Sequence, residues 1–225
     1  MNTLRISLTK NIPSPNIYIK MLDDYKDWIF LEEEAQNLRG KWLNIFADRS
    51  LPLDLEIGCG NGFFFEHQTR ANPQRNLLGI EIKYKPLVQT VRRIRLDNLP
   101  NGRGLRFNAR VIDQAFQEGE LNNVFIYFPD PWPRRTQQKN RLLKKDFFQK
   151  LFKLQKSGSF VDIKTDSLDY FNFAESELKG LPYEVIRSSR DLHRSDWAAA
   201  NFPTSFEKIF SQKGIFINYM RLFKN

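Results

Sequence analysis

The sequence predicts a single α/β domain: a mostly parallel sheet of seven strands, helices on both faces, and an antiparallel strand at the C-terminus. Three observations predict it. Short leucine-rich or β-branched runs alternate with stretches of helical periodicity from residue 51 onward. A glycine-rich turn sits where the first of these runs ends. The last run, "GIFINYMRLF" (214–223), follows one short helical stretch near 205–211 and has no clear crossover pattern.

The elements follow in order. Residues 1–50 read as an N-terminal helical extension packed on a core domain of residues 51–225. After a start containing Pro13 and Pro15, helix-like patterning runs over 21–47, with Trp28 and Trp42 as packing residues. "LPLDLEIG" (51–58) and "NLLGIEI" (76–82) are strands separated by a helix across 61–71. A helix at about 84–98 leads to a strand near 104–109, and a fourth strand covers 123–128. A helix near 144–155 precedes "GSFVDIKT" (158–165), and a helix near 167–179 precedes an extended "YEVIRSS" (183–189). Lys83, Lys85, Arg92, Arg93 and Arg95 form a basic group that reads as the solvated face of the 84–98 helix.

Composition narrows the function. The chain has 225 residues, 14% of them aromatic, which is enough to bury a full core and argues against disorder. A formal net charge of +9 points to a polyanion such as nucleic acid, or to an acidic membrane surface. The one cysteine, Cys59, excludes an internal disulfide, and His67 and His193 lie too far apart in sequence to suggest a metal cluster. "MNTLRISLTKNIPSP" lacks the apolar stretch of a signal peptide, and no run approaches transmembrane length. The expectation is a cytoplasmic protein with neither metal nor membrane partner.

Two motifs carry chemistry. "DLEIGCGNG" places Gly58, Gly60 and Gly62 between a strand and a helix, where glycine permits the turn and close approach of a ligand. Glu81 ends the next strand, where a carboxylate can accept both hydroxyls of a ribose. A dinucleotide loop spaces its third glycine one residue later. Glu56, just before the loop, would repel a pyrophosphate and suits a ligand with an ammonium group. The pattern resembles the first motif of the Rossmann-like class I methyltransferases, which implies S-adenosylmethionine as cofactor, with NAD as the alternative.

The second motif, "FPDPWPRRTQQKNR" (128–141), fixes Asp130 between Pro129 and Pro131 at the end of the fourth strand. Each proline sets φ and removes a backbone donor, so the carboxylate loses little entropy on binding a base edge. Trp132 offers a stacking wall. From Arg134 to Lys145 six of twelve residues are Arg or Lys, including Lys139 and Arg141, and they are interleaved with Thr, Gln and Asn, which suits phosphate binding.

"LEIGCGNG", "GIE", "FPDPWPRR", "IKTD" and "TSFE" occur in the order seen in the bacterial tRNA (guanine-N7-)-methyltransferase family, which this chain resembles over about residues 53–210. The resemblance implies transfer of a methyl group to guanine N7 in the variable loop of tRNA. It implies Asp130 as the catalytic position and a donor site using Glu56, Gly58, Gly60, Glu81, Asn108 and Asp130. It implies tRNA contacts at Arg134, Lys139, Arg141, Asp166, Thr204, Ser205, Phe206 and Glu207. The chain departs from the family pattern at Asn108, where Asp is usual, and at Arg134, Gln137 and Asn140, where Lys, His and Arg are usual. Structural alternatives stand beside two of these roles: Asp166 as the cap of the following helix, and Thr204 with Glu207 as a capping box. His193 reads as an ordinary loop histidine. Other functions weighed are methylation of an exocyclic amino group and an RNA-binding module with an inactive pocket. A monomer is the expectation for the oligomeric state.

Overall fold

The computed structural model describes residues 17–225, so the stretch with Pro13 and Pro15 lies outside the described residues. The chain divides into two compact units, Met1–Leu121 and Asn122–Asn225.

The first unit opens with α1 (Ile17–Lys20), a 3-10 turn (Met21–Tyr25), strand β1 (Ile29–Phe30), α2 (Glu32–Leu38) and a second 3-10 turn (Trp42–Ile45). β2 (Leu53–Ile57), α3 (Phe63–Ala71), β3 (Asn76–Ile80), α4 (Tyr84–Leu96) and β4 (Gly102–Leu105) complete it. The strand order is β1-β4-β3-β2, all parallel. The helical stretch expected over 21–47 is therefore broken. Gly104 and Arg106 donate backbone bonds to Trp28 and Phe30, both at 2.8 Å, which draws residues 28–30 into the sheet as an edge strand. β1 is the strand by which the described chain exceeds the expected seven. Trp42 is buried as expected, donating to the Ala115 carbonyl at 2.8 Å.

β4 starts two residues earlier than its sequence suggested, because its glycines look like turn residues. They serve packing. A Cβ on Gly104 would lie 2.7 Å from Val91, and one on Gly102 would lie 2.9 Å from Ile94. Their absence lets α4 lie close on the sheet with Leu87, Val91 and Ile94 buried. Two members of the basic group on α4 are not simply solvated. Arg93 donates to the Asn61 carbonyl at 2.9 Å and lies over the Phe63 ring, and Arg95 donates to the Asp24 carbonyl at 2.8 Å.

The second unit contains β5 (Val124–Tyr127), a 3-10 helix (Arg135–Asn140), α5 (Lys145–Leu154), β6 (Ser159–Thr165), α6 (Leu168–Glu177) and β7 (Glu184–Ser189). Two short 3-10 turns (Leu192–Arg194 and Ala198–Ala200), α7 (Ser205–Gln212) and β8 (Asn218–Lys224) follow. The order is β5-β6-β8-β7, with β5 and β6 parallel and β8 antiparallel to both its neighbours. The last strand is antiparallel as expected, although it begins at Asn218 and not at 214. Ion pairing fixes its register: Arg221 grips the buried Asp162 of β6 through two bonds of 2.6 Å, and Tyr219 donates to the same carboxylate at 2.9 Å.

Candidate active site

In the first unit the glycine loop leaves β2 with Gly58, Gly60 and Gly62 all at positive φ (80°, 54° and 80°). Their uses differ. A Cβ on Gly62 would lie 2.6–2.8 Å from Thr90, so this glycine lets α4 pack. A Cβ on Gly58 would meet nothing within 4 Å, and one on Gly60 only the Gly58 carbonyl at 3.9 Å, so these two border open space. The loop is pinned from below: Gly58 and Cys59 donate to the Ile80 carbonyl (2.8 and 3.1 Å), and Thr90 Oγ1 donates to the Gly60 carbonyl (2.8 Å).

Two carboxylates flank it. Half-buried Glu81 accepts from Gly60 N at 3.2 Å through one oxygen and from Lys83 N at 2.9 Å through the other. Each oxygen keeps a further acceptor site for a hydroxyl. Glu56 is buried, and its Oε2 has no hydrogen-bond partner. Burial, reinforced by the negative charge of Glu81, pushes its carboxyl from the ordinary 4.5 up to about 8. Asn108 is half-buried after β4, and its side-chain oxygen accepts from Arg110 N at 3.1 Å. A cradle with an orphaned buried carboxylate and a second one beside the loop fits the cations and ribose of S-adenosylmethionine. It opposes a pyrophosphate.

A pH dependence follows from Glu56. Between about pH 4.5 and 8 the folded, ligand-free protein holds a proton there that the unfolded chain releases. The fold therefore loses stability as pH rises through that window, by up to about 1.4 kcal/mol per pH unit from this group. Urea melts at pH 5 to 8 should show Glu56→Gln flattening the decline relative to wild type.

In the second unit β5 delivers Asp130 to the surface on a turn whose strain the sequence did not reveal. Phe128 and Trp132 both have positive φ (53° and 44°), a conformation that bulky L-residues avoid. Each costs on the order of 1–3 kcal/mol, and two such residues bracket Pro129-Asp130-Pro131. The surroundings hold the turn in place. Phe128 N donates to the Lys164 carbonyl at 2.8 Å, and Arg141 Nε donates to the Pro131 carbonyl at 2.9 Å. Arg141 is buried, lies over the Tyr170 and Phe173 rings and pairs with Asp169. The Tyr170 hydroxyl accepts from Leu142 N and Leu143 N at 2.9 and 3.0 Å. Arg134 and Lys139 are exposed, so Arg141 is separated by burial from the cationic run it belongs to in sequence.

Asp166 lies half-buried just past β6. The cap of α6 is Ser167, whose hydroxyl accepts from Tyr170 N at 3.2 Å, so the capping alternative for Asp166 is corrected.

The capping box at the start of α7 forms: Glu207 N donates to Thr204 Oγ1 at 3.1 Å, and Thr204 N donates to Glu207 Oε2 at 3.3 Å. Glu207 is wholly buried and engaged further. It accepts from Lys164 Nζ at 3.1 Å and from Asn201 Nδ2 at 2.5 Å, and His193 Nε2 lies 2.8 Å from it. Burial alone would raise the Glu207 carboxyl, but Lys164, His193 and Asn201 hold it below its ordinary range. Burial pulls the Lys164 ammonium down, against the pull of Glu207. His193 is thus part of a network, not an isolated loop residue. One signal for Lys164 was present: Asp162 and Lys164 are charges two apart in an apolar strand, and each needs a partner. Ser205 and Phe206 stay exposed.

Among the described residues no group of His, Cys, Asp and Glu could hold a metal ion, and no helix is long and apolar enough to cross a membrane.

Residues 50–218 match the family model described as "Putative methyltransferase". The chain is 46% identical over 203 residues to the tRNA (guanine-N(7)-)-methyltransferase of Bdellovibrio bacteriovorus, covering 89% of this chain and 97% of that protein. It is 31% identical to the enzyme of the same name from Geobacillus thermodenitrificans, covering 84% and 86%. A ribosomal A1408 methyltransferase from an uncultured bacterium superposes with a TM-score of 0.53 at 15% identity, covering 84% of this chain and 94% of that one. At that identity the likeness speaks for the class I methyltransferase fold alone. The sequence relatives carry more, and by them the chain belongs to the tRNA (guanine-N(7)-)-methyltransferase family.

Proposed function

We propose that this protein transfers a methyl group from S-adenosylmethionine to N7 of a guanine in the variable loop of tRNA, in the cytoplasm. The observation that carries the reading is Asp130, an exposed carboxylate on a doubly strained turn, in a chain 46% identical to an enzyme named for this reaction.

S-adenosylmethionine, when bound, supplies a methyl group on a sulfonium that a lone pair can attack. Glu56 would take its ammonium group, Glu81 the ribose hydroxyls and Asn108 the adenine edge. Glu56 ionises as it meets a cation, which removes the cost of burying its charge alone. Guanine N7 carries a lone pair and no proton, so no general base is needed, and positioning supplies most of the rate. Asp130 accepts hydrogen bonds from the Watson–Crick edge of the base and favours the positive charge that grows as N7 is methylated. Asp166 and the exposed Ser205 and Phe206 are assigned to the substrate. Thr204, Glu207 and Arg141 are assigned to holding those groups in place, since their polar atoms are already committed within the fold.

Arg134 and Lys139 are assigned to phosphates. The affinity for tRNA should fall steeply with salt, and Arg134→Ala with Lys139→Ala should flatten that slope by about one to two units while donor binding survives. Filter binding between about 50 and 300 mM salt, across which the Debye length falls by more than half, measures it; an unchanged slope would remove the segment from the interface.

Label transfer from methyl-labelled donor to bulk tRNA tests the activity itself. Incorporation into tRNA supports the reading. Tight NAD binding with no transfer would favour a dinucleotide enzyme, and tRNA binding with no transfer would favour an inactive RNA-binding module.

A further inference from the structure

One member of the basic group on α4 faces the glycine loop. Thr90 and Arg93 are three residues apart and so share a face of the helix. They take successive carbonyls of the loop: Thr90 Oγ1 donates to the Gly60 carbonyl at 2.8 Å, and Arg93 Nε donates to the Asn61 carbonyl at 2.9 Å. The inner part of the loop is held by backbone. Gly58 N and Cys59 N donate to the Ile80 carbonyl, and Gly62 N donates to the Cys59 carbonyl at 3.0 Å. The outer stretch, Gly60 and Asn61, leans on side chains, and Gly60 borders open space beside Glu81. Arg93 is itself fixed. It is half-buried, its guanidinium lies 3.8 Å over the Phe63 ring, and one nitrogen is 3.6 Å from the Glu66 carboxylate. It therefore ties the end of the loop and the first turn of α3 to α4.

A loop with three glycines at positive φ costs more backbone entropy to order than other sequences do. If that cost fell at the moment of binding, it would be subtracted from donor affinity. The two bonds from α4 meet it beforehand. A trans peptide points its C=O and N–H in opposite directions, so turning the Gly60 carbonyl toward Thr90 also aims the Asn61 N–H away from α4. We propose that Arg93, together with Thr90, is a positioning residue that sets the affinity for S-adenosylmethionine by holding the outer glycine loop in its binding conformation before the donor arrives. This rests on the assignment of the cradle to S-adenosylmethionine. It goes beyond that assignment in giving control of donor affinity to side chains of α4 that touch the loop. A mere tie between α3 and α4 would show in stability and leave donor affinity unmoved.

The test uses the full chain. Arg93→Met keeps the apolar stem and removes the donors. In calorimetric titrations it should bind S-adenosylmethionine about three- to tenfold more weakly, the worth of one hydrogen bond. The rate at saturating donor and tRNA should stay within about twofold of wild type, so that the loss falls on the donor KM and not on kcat. Amide exchange over residues 60–62 of the ligand-free protein should quicken by a similar factor. Thr90→Val should repeat the loss of donor affinity, and Thr90→Ser, which keeps the hydroxyl, should not. Unchanged donor affinity in Arg93→Met, loop exchange as slow as in wild type, or a Thr90→Ser protein as weak as Thr90→Val would each overturn the proposal. Failure of the cradle assignment reads differently: the wild type itself takes up no S-adenosylmethionine.

Discussion

Asp130→Ala is expected to lower single-turnover methyl transfer by a hundredfold or more, with the fold and the tRNA affinity retained. The size follows from removing one preorganised electrostatic contact to the group on which charge develops. Asp130 is exposed, so its loss opens no cavity. The strain at Phe128 and Trp132 is held by Arg141 and by the backbone of β6, not by the aspartate. The turn should therefore survive the substitution, which makes the measurement clean. Asp130→Asn should also be severely impaired, because it keeps the shape but gives up the charge and an acceptor. Rates at saturating donor and tRNA separate chemistry from binding. If Asp130→Ala retains more than about a third of the wild-type rate, the aspartate is a turn residue and the mechanism fails.

The largest stability effect should come from Glu207. Glu207→Ala strands the Lys164 ammonium in the interior and removes the acceptor shared by His193 and Asn201. Breaking a buried pair from one side costs about 3–5 kcal/mol, which for a chain of this size lowers the melting temperature by on the order of 10 °C. Lys164→Met combined with Glu207→Leu removes both charges and should recover most of that loss. Thermal melts of the single and double variants decide it. A single variant as stable as wild type would mean that Glu207 is not the anchor of α7.

What could be read in the sequence was set by local chemistry. The glycine loop was legible because positive φ is a glycine property, and Glu81 because it follows a strand at a usable spacing. The DPWP turn announced its rigidity through its prolines. Its strain was not legible, since it sits at Phe128 and Trp132, residue types that give no sign of a left-handed backbone. β1 was missed because its two residues become a strand only through β4, a partner more than 70 residues away. Arg141 read as a phosphate ligand because it lies in a basic run, yet a neighbouring aromatic pair and Asp169 bury it. The Lys164–Glu207–His193 network joins three segments of the second unit, and only the unpartnered charge in β6 hinted at it. Local patterns showed where the chain turns and binds; tertiary partners decided which charged residues face solvent.

The proposed mechanism stands or falls on which atom receives the methyl group. Mass spectrometry identifies the methylated nucleosides after wild-type protein acts on single tRNAs, with and without a guanine in the variable loop. The expected product is 7-methylguanosine, in the guanine-containing tRNAs alone. A methyl group on an exocyclic amine, or 7-methylguanosine formed equally in tRNAs that lack the variable-loop guanine, would contradict it.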